Sequence, residues 1–396
     1  MALIGHDTSE RLDVITARFR VLVTRRPKLA CRVCAGVVVQ APAPARLVEG
    51  GLPTEATVAH VLVSRYADHL PLYRQAQILA RQGVEVDRST LASWVGRAAA
   101  EVAPVVARLR EVVLASGRVF ADETTLPVLD PGRGRTKTGY LWAVARDDRA
   151  WGGADPPAVV YSYTPGRGQE HADALLGGYH GILQCDGYAT YKRLAGSERD
   201  GKGGGPPTLV FCWAHVRRGF YDLARAGNAP VATEAIERIA ALYGIEAEIR
   251  GQGPARRRAV RQERSRPLVS ELRAWFELQL AKLPGRGPTA GAIRYALNHW
   301  DGLVRFLDDG RVEPDTNPVE RAIRPVALSR KNALFAGNDE GGANWAHIAS
   351  LVETCKLNGV DPQVYLSELL TRLIGGWPNK RIDDLMPWCW ATPKAG

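Results

Sequence analysis

Three acidic residues stand where an ordinary surface charge would not. Asp122 ends an apolar run in Val119-Phe-Ala-Asp-Glu-Thr, and Asp186 ends another in Gly181-Ile-Leu-Gln-Cys-Asp-Gly-Tyr. Glu320 lies in Asn317-Pro-Val-Glu-Arg-Ala-Ile-Arg-Pro, directly after a Pro/Asp turn. A carboxylate at the end of an apolar strand is costly unless it finds a partner or a metal. Either Asp alone reads equally as a strand-end cap or an ion-pair partner. Two strand-end Asp residues and a helical Glu together describe an oxygen-ligand cage for Mg²⁺ or Mn²⁺, the arrangement that supports in-line cutting and joining of phosphodiesters. Glu313 and Asp315 compete for the third position. Glu320 is preferred because Val319, Ala322 and Ile323 give its helix a buried side, with Pro318 suited to the first turn.

Basic residues surround the same segments. Arg321, Arg324, Arg330 and Lys331 follow Glu320, and Arg217 and Arg218 end the stretch Cys212-Trp-Ala-His215-Val-Arg-Arg. Guanidinium groups near a metal cage suit phosphate binding; the plainer reading for the first set is intrahelical Glu–Arg pairing. Cys212-x-x-His215 reads either as half a metal site supporting the acidic cluster or as a buried Cys beside a capping His, and spacing does not choose between them. Cys31-x-x-Cys34 is the one close Cys pair among six cysteines. A structural zinc site takes four ligands, so these two are expected to be partial zinc ligands without an intact site.

The elements that must position these groups are legible from periodicity. Residues 9–40 alternate apolar and basic, as in Phe19-Arg-Val-Leu-Val-Thr-Arg-Arg, and are expected to form short strands. After the linker Ala41-Pro-Ala-Pro-Ala the period becomes helical: Glu55–Tyr66, a second helix from Leu72 broken at Gly83, and a third over Thr90–Ala98 with Ser89 as N-cap. Helices around a Gly turn suggest a helix-turn-helix with Arg88 and Arg97 offered to DNA; a helical hairpin that merely packs is the alternative. Candidate strands are Arg118–Thr124, Gly139–Arg146, Ala158–Tyr163, Gly181–Cys185 and Thr208–Trp213, with a helix over Gln169–Leu176. Three hairpin-linked strands, a helix, a fourth strand and a fifth match the order of a ribonuclease-H-like α/β core, in which the first and fourth strands are neighbours. Residues 230–283 are helical and charged, with Arg256-Arg-Arg and Arg264-Ser-Arg, and form an insertion before Glu320. One more helix is expected over Ala290–Leu307, then Ala343–Leu357 and Pro362–Leu373. The resulting division is a partial zinc-ribbon-like β region at 1–47, a helix-turn-helix region at 48–112, a catalytic domain at 116–345 with its insertion at about 228–310, and a helical tail at 346–396.

With 396 residues, 45% hydrophobic and 24% charged, the chain affords a large core. Net charge +10 favours a polyanionic partner such as nucleic acid. No apolar run is long enough to span a bilayer and no signal-like start is present, so a cytoplasmic, nucleoid-associated protein without a membrane partner is expected.

Taken together, Phe120-Ala-Asp-Glu-Thr, Gln184-Cys-Asp-Gly-Tyr-Ala-Thr-Tyr, Cys212-Trp-Ala-His-Val-Arg-Arg and Asn317-Pro-Val-Glu-Arg-Ala-Ile-Arg-Pro resemble the transposases of the insertion-sequence 66 family, of the DDE class. His69-Leu-Pro-Leu-Tyr-Arg-Gln, Gly337-Asn-Asp-Glu-Gly-Gly-Ala-Asn-Trp-Ala and Thr354-Cys-Lys-Leu-Asn-Gly-Val-Asp-Pro extend the likeness over roughly residues 9 to 390, in order. The resemblance implies Mg²⁺- or Mn²⁺-dependent cleavage and strand transfer at element ends, with Asp122, Asp186 and Glu320 as the triad. It implies DNA partners (terminal inverted repeats and target), a homo-oligomer in the synaptic complex, and accessory proteins from the same element. Family members begin with a further helical region and a first Cys pair, so this sequence is expected to be a shortened form with half a zinc ribbon. A catalytically impaired DNA-binding remnant, or a nuclease on the same fold, are the competing expectations.

Overall fold

The structure is a computed structural model that describes residues 11–12, 19–31, 36, 38–130, 132–196 and 205–390. A two-stranded antiparallel ribbon, β1 (Lys28–Ala30) and β2 (Val38–Gln40), comes first. Phe19 to Pro27 form no strand, contrary to expectation. Their apolar residues find no sheet to cover: Val21 is 87% and Val23 73% exposed. Cys34 lies outside the described residues, as do residues 13–18 of the stretch expected to form strands.

Three helices follow: α1 (Glu55–Tyr66), α2 (Leu72–Arg81) and α3 (Arg88–Leu114). Thr54 caps α1 by accepting from the Thr57 N–H, and Gly83 carries φ +80° in the turn between α2 and α3. Such a φ strains any residue with a Cβ, which is why a Gly breaks the helix there. The third helix is far longer than Thr90–Ala98. Its buried stripe Leu91, Trp94, Val95, Ala98, Val102, Val105, Leu109 and Val113 keeps helical spacing for its whole length, and that stripe packs on the sheet and on later helices.

The sheet consists of β3 (Arg118–Asp130), β4 (Arg135–Arg146), β5 (Ala158–Thr164), β6 (Ile182–Cys185) and β7 (Thr208–Phe211), in the order β5-β4-β3-β6-β7. The β3–β4 and β4–β5 pairs are antiparallel; β6 and β7 run parallel to β3. Consecutive residues Val119, Phe120 and Ala121 are all buried, the mark of a strand covered on both faces. Two helices, α4 (Gln169–Leu176) and α5 (Ala189–Gly196), carry the crossovers to β6 and β7. The register Arg118↔Ile182, Val119↔Leu183, Phe120↔Gln184 sets Asp122 level with Asp186, where β6 ends and β3 runs on beside β4.

From β7 the chain enters α6 (Trp213–Ala226), then α7 (Pro230–Glu248), α8 (Pro254–Val260), a π-helical turn at Arg261–Ser265, α9 (Arg266–Lys282), α10 (Pro288–Asn298) and α11 (Trp300–Val304). The single helix expected over Ala290–Leu307 is interrupted at His299, and its end is a 3₁₀ turn at Arg305–Leu307. Trp213, Phe220, Phe276, Trp300 and Phe306 form a second apolar core under this insertion. Arg257, the middle of the basic run Arg256-Arg-Arg, is buried, and so is Arg261. Arg257 pairs with Glu246 (3.2 Å) and Glu313 (2.6 Å), and Arg261 with Glu246 (2.6 Å).

The chain returns in α12 (Asn317–Ala333), then α13 (Asp339–Leu357) and α14 (Pro362–Ile374). The boundary expected at 345/346 falls inside α13. That helix belongs to the sheet: Ser350 Oγ and Thr354 Oγ1 accept from the Tyr161 and Val159 N–H groups of edge strand β5 (2.8 and 3.2 Å). These side chains satisfy an edge that would otherwise invite pairing. Among the described residues no helix is long and apolar enough to cross a membrane.

Candidate functional site

Asp122 sits in mid-β3, where the strand leaves its parallel partner and continues only with β4. Its Oδ1 accepts the Glu123 N–H (2.8 Å). Asp186 follows β6 directly, and its Oδ1 accepts the Tyr188 N–H (2.9 Å), turning the chain into α5. A Cβ on Gly187 would meet His299 Nε2 at 2.5 Å and the Tyr295 hydroxyl at 2.7 Å, so the turn beside Asp186 requires glycine.

Glu320 arrives from far along the chain, and its approach is fastened at several points. Gln184, buried in β6, accepts from the Glu313 N–H (3.1 Å) and donates to the Glu313 carbonyl (2.9 Å). The Trp213 N–H donates to the Pro314 carbonyl (2.9 Å), and the Thr316 N–H to Cys212 Sγ (3.3 Å). The first turn of α12 is thereby tied to the ends of β6 and β7. Thr316 Oγ1 donates to Glu320 Oε1 (3.0 Å), and a carboxylate in the first turn is favoured by the helix dipole.

Asp122 feels the other acidic residues. The Asp122 carboxyl is pushed up to about 7, first by burial, then by the charges of Glu123, Asp186 and, less strongly, Glu320, with the Glu123 N–H opposing. Buried negative charge of this kind, from three chain segments and without a matching cation on Asp122, fits a divalent ion held by oxygen ligands. The two competitors for the third position are engaged elsewhere. Glu313 is held by Arg257, and Asp315 accepts from the Asn317 N–H (3.0 Å) and Nδ2 (2.6 Å). Burial pushes the Asp315 carboxyl up to about 6.

Cys212 and His215 stand against Glu320. Cys212 Sγ is 4.0 Å, and His215 Nδ1 3.6 Å, from Glu320 Oε1, while Arg218 Nη2 lies 3.5 Å from Oε2. Arg217, Arg321, Arg324 and Lys331 are exposed on the same two helices. Arg330 is engaged with Thr125 of β3, donating to its Oγ1 (2.5 Å), and burial draws its guanidinium below the usual value. Arg88 and Arg97 are exposed on one side of α3, lining a groove of about 930 Å³ with Arg65, Tyr73, Phe335 and Asn344. In the insertion Arg256 and Arg258 are exposed, and Arg264 is paired with Glu248.

Sequence reasoning missed Glu123. Its buried carboxylate accepts from Tyr191 (2.5 Å) and Arg167 (2.7 Å), and Arg167 stacks 3.6 Å from the Tyr188 ring centroid beside Asp186. The adjacent acidic pair Asp122-Glu123 was the available signal, since two buried carboxylates side by side demand a cation or donors.

Residues 50–344 match the transposase IS66 family model, residues 350–388 its C-terminal element, and residues 1–35 the zinc-finger binding domain of transposase IS66. Two Sinorhizobium fredii proteins described as uncharacterized, y4qI and y4jD, are similar. The first is 51% identical over 98% of this chain and 71% of its own length, the second 45% over 99% and 77%. A third, y4hP, is 36% identical over all of this chain and 72% of its own length.

Proposed function

The chain belongs to the transposase IS66 family, and from that premise we propose that it cleaves DNA at insertion-sequence ends and transfers the freed strand to target DNA by a DDE mechanism. The sheet is read as a ribonuclease-H-like core: three antiparallel strands, then two parallel ones on the far side of β3. The observation that carries the reading is the parallel register that sets Asp122 level with Asp186, with the start of α12 tied to the ends of the neighbouring strands; the raised Asp122 carboxyl accords with it.

In this reading Asp122, Asp186 and Glu320 would hold Mg²⁺ or Mn²⁺, which would supply activation of the attacking hydroxyl and charge stabilisation of the leaving oxygen in an in-line displacement. The protein's own part is positional. Gln184, Cys212 Sγ and the Trp213 N–H fix the start of α12, where Glu320 stands beside the end of β7. Arg218, Arg321 and Arg324 are the groups suited to the scissile and flanking phosphates, and Arg88 and Arg97 to duplex flanking the element end. The hydroxyl's proton leaves to solvent, and no protein–DNA covalent bond is required. Terminal inverted repeats and target DNA are the expected partners, in a homo-oligomeric synaptic complex assisted by products of the same element.

The test is purified protein with labelled element-end DNA and Mg²⁺ or Mn²⁺. Nicking followed by joining of the 3′-hydroxyl end to a target plasmid is the expected result, lost in Asp186→Asn and Glu320→Gln while gel-shift binding persists. Nicking without joining would make the protein a nuclease; binding without either would make it an inactive element-bound protein.

A further inference from the structure

We propose that Cys212, His215 and Glu320 form a second metal site, one for a zinc-class divalent ion, that shares Glu320 with the acidic cluster. One ligand atom from each residue, a thiol sulfur, an imidazole nitrogen and a carboxylate oxygen, lies within 4.8 Å of the other two. Ligand atoms around a tetrahedral Zn²⁺ sit about 2.0–2.3 Å from the metal and therefore within about 4 Å of one another. The observed spacings of 4.0 Å (Sγ to Oε1) and 3.6 Å (Nδ1 to Oε1) are close to that without rearrangement of the backbone. Cys-x-x-His at the head of α6 turns both side chains to one side, and α12 brings the carboxylate from the other.

The second line of support is an unmet valence. His215 Nδ1 is shielded from solvent and makes no hydrogen bond, although it faces Glu320. A buried polar atom without a partner costs free energy, and coordination would supply the missing contact. Cys212 already receives the Thr316 N–H, a donor that favours the thiolate. In the ion's absence the thiol is neutral, because burial pushes it up to about 12; binding displaces that proton to solvent. A sulfur, nitrogen and oxygen set suits Zn²⁺ or Co²⁺ and not Mg²⁺. Three protein ligands leave one position open.

The consequence rests on the DDE reading. Glu320 Oε1 points toward Cys212, His215 and Thr316, so an ion bound there withdraws the carboxylate from the Mg²⁺ cluster, and zinc becomes an antagonist of cleavage.

The site itself is tested without DNA. The full chain carrying Cys31→Ser and Cys34→Ser, which removes the N-terminal thiolates, is titrated with CoCl₂ and followed by absorption. A thiolate-to-cobalt charge-transfer band saturating at one equivalent and erased by Zn²⁺ is expected. The band is lost in Cys212→Ser, requires at least tenfold more Co²⁺ in His215→Ala, and is unchanged in Asp122→Asn, with circular dichroism verifying each fold. A folded parent without the band, a band that survives Cys212→Ser, or one abolished by Asp122→Asn would each overturn the site. A failed cleavage assay with the band intact would count against the DDE reading alone.

Discussion

Asp122→Asn is expected to stabilise the metal-free protein while removing its activity, and the size of the effect follows from the site. The carboxyl moves from an ordinary value of 3.8 to about 7 on folding, chiefly through burial and the charge of neighbouring carboxylates. The shift is about three units at about 1.4 kcal/mol each, so ionised Asp122 costs the native state up to about 4 kcal/mol. Partial solvent access and relaxation of the neighbours bring the working figure to about 2–4 kcal/mol. The sign is fixed by linkage. A raised carboxylate value means that the native state holds a proton the unfolded chain has released. Stability therefore falls as pH rises from about 4 to about 7 and is level above. Asparagine keeps the Oδ1 acceptor for the Glu123 N–H but does not titrate. The gap between variant and wild type should open across that window, reach roughly 2–5 °C in melting temperature at pH 8, and close toward pH 4. Urea or thermal unfolding in EDTA at both pH values measures it. Excess Mg²⁺ should narrow the gap at pH 8, because only the wild type gains binding energy. Equal stability of the two proteins at pH 8 in EDTA would refute the account of Asp122 as a buried charge awaiting a cation.

Two further outcomes are expected. Arg88→Ala with Arg97→Ala should reduce the slope of log affinity against log salt by about two, one unit per lost phosphate contact; an unchanged slope in fluorescence anisotropy would make the groove beside α3 scaffold. Arg257→Ala strips the buried Glu246 and Glu313 of a partner and should cost about 3–5 kcal/mol; a loss below about 1 kcal/mol in urea unfolding would show that this ion-pair cluster does not anchor the insertion.

The strands were legible because Val119-Phe-Ala and Gly181-Ile-Leu-Gln-Cys are apolar without a helical period, and the parallel register then aligned Asp122 with Asp186. The first two helices were legible from their stripes and from Gly83. Composition misled where charge was the signal. Arg257 looks like surface in a run of arginines, yet Glu246 on the preceding helix α7 pairs with it in the interior. Pairing across such distances leaves no local periodicity. The helix expected to stop at Ala98 continues to Leu114 as α3, through Pro104, a residue that normally ends a helix. Glu123 was overlooked because its partners Arg167 and Tyr191 come from separate segments.

The insertion explains how a glutamate so distant in sequence is held beside the ends of β6 and β7. Loop closure over a long flexible segment would leave Glu320 diffusing about the site. Here α7 to α11 bury their own aromatic core on α6, and the chain that leaves them is tied down before α12 begins. Arg257 holds Glu313, Gln184 holds the Glu313 backbone, and Cys212 and Trp213 hold Thr316 and Pro314. The Arg257 tether comes from α8, inside the insertion; the others end on β6 or at the junction of β7 and α6, the same elements that present Asp186 and His215. The position of Glu320 is therefore set by the insertion's folded core and not by chain length. Cys212 and His215, placed at the last tether, are where a bound ion would act on Glu320 with least movement of anything else.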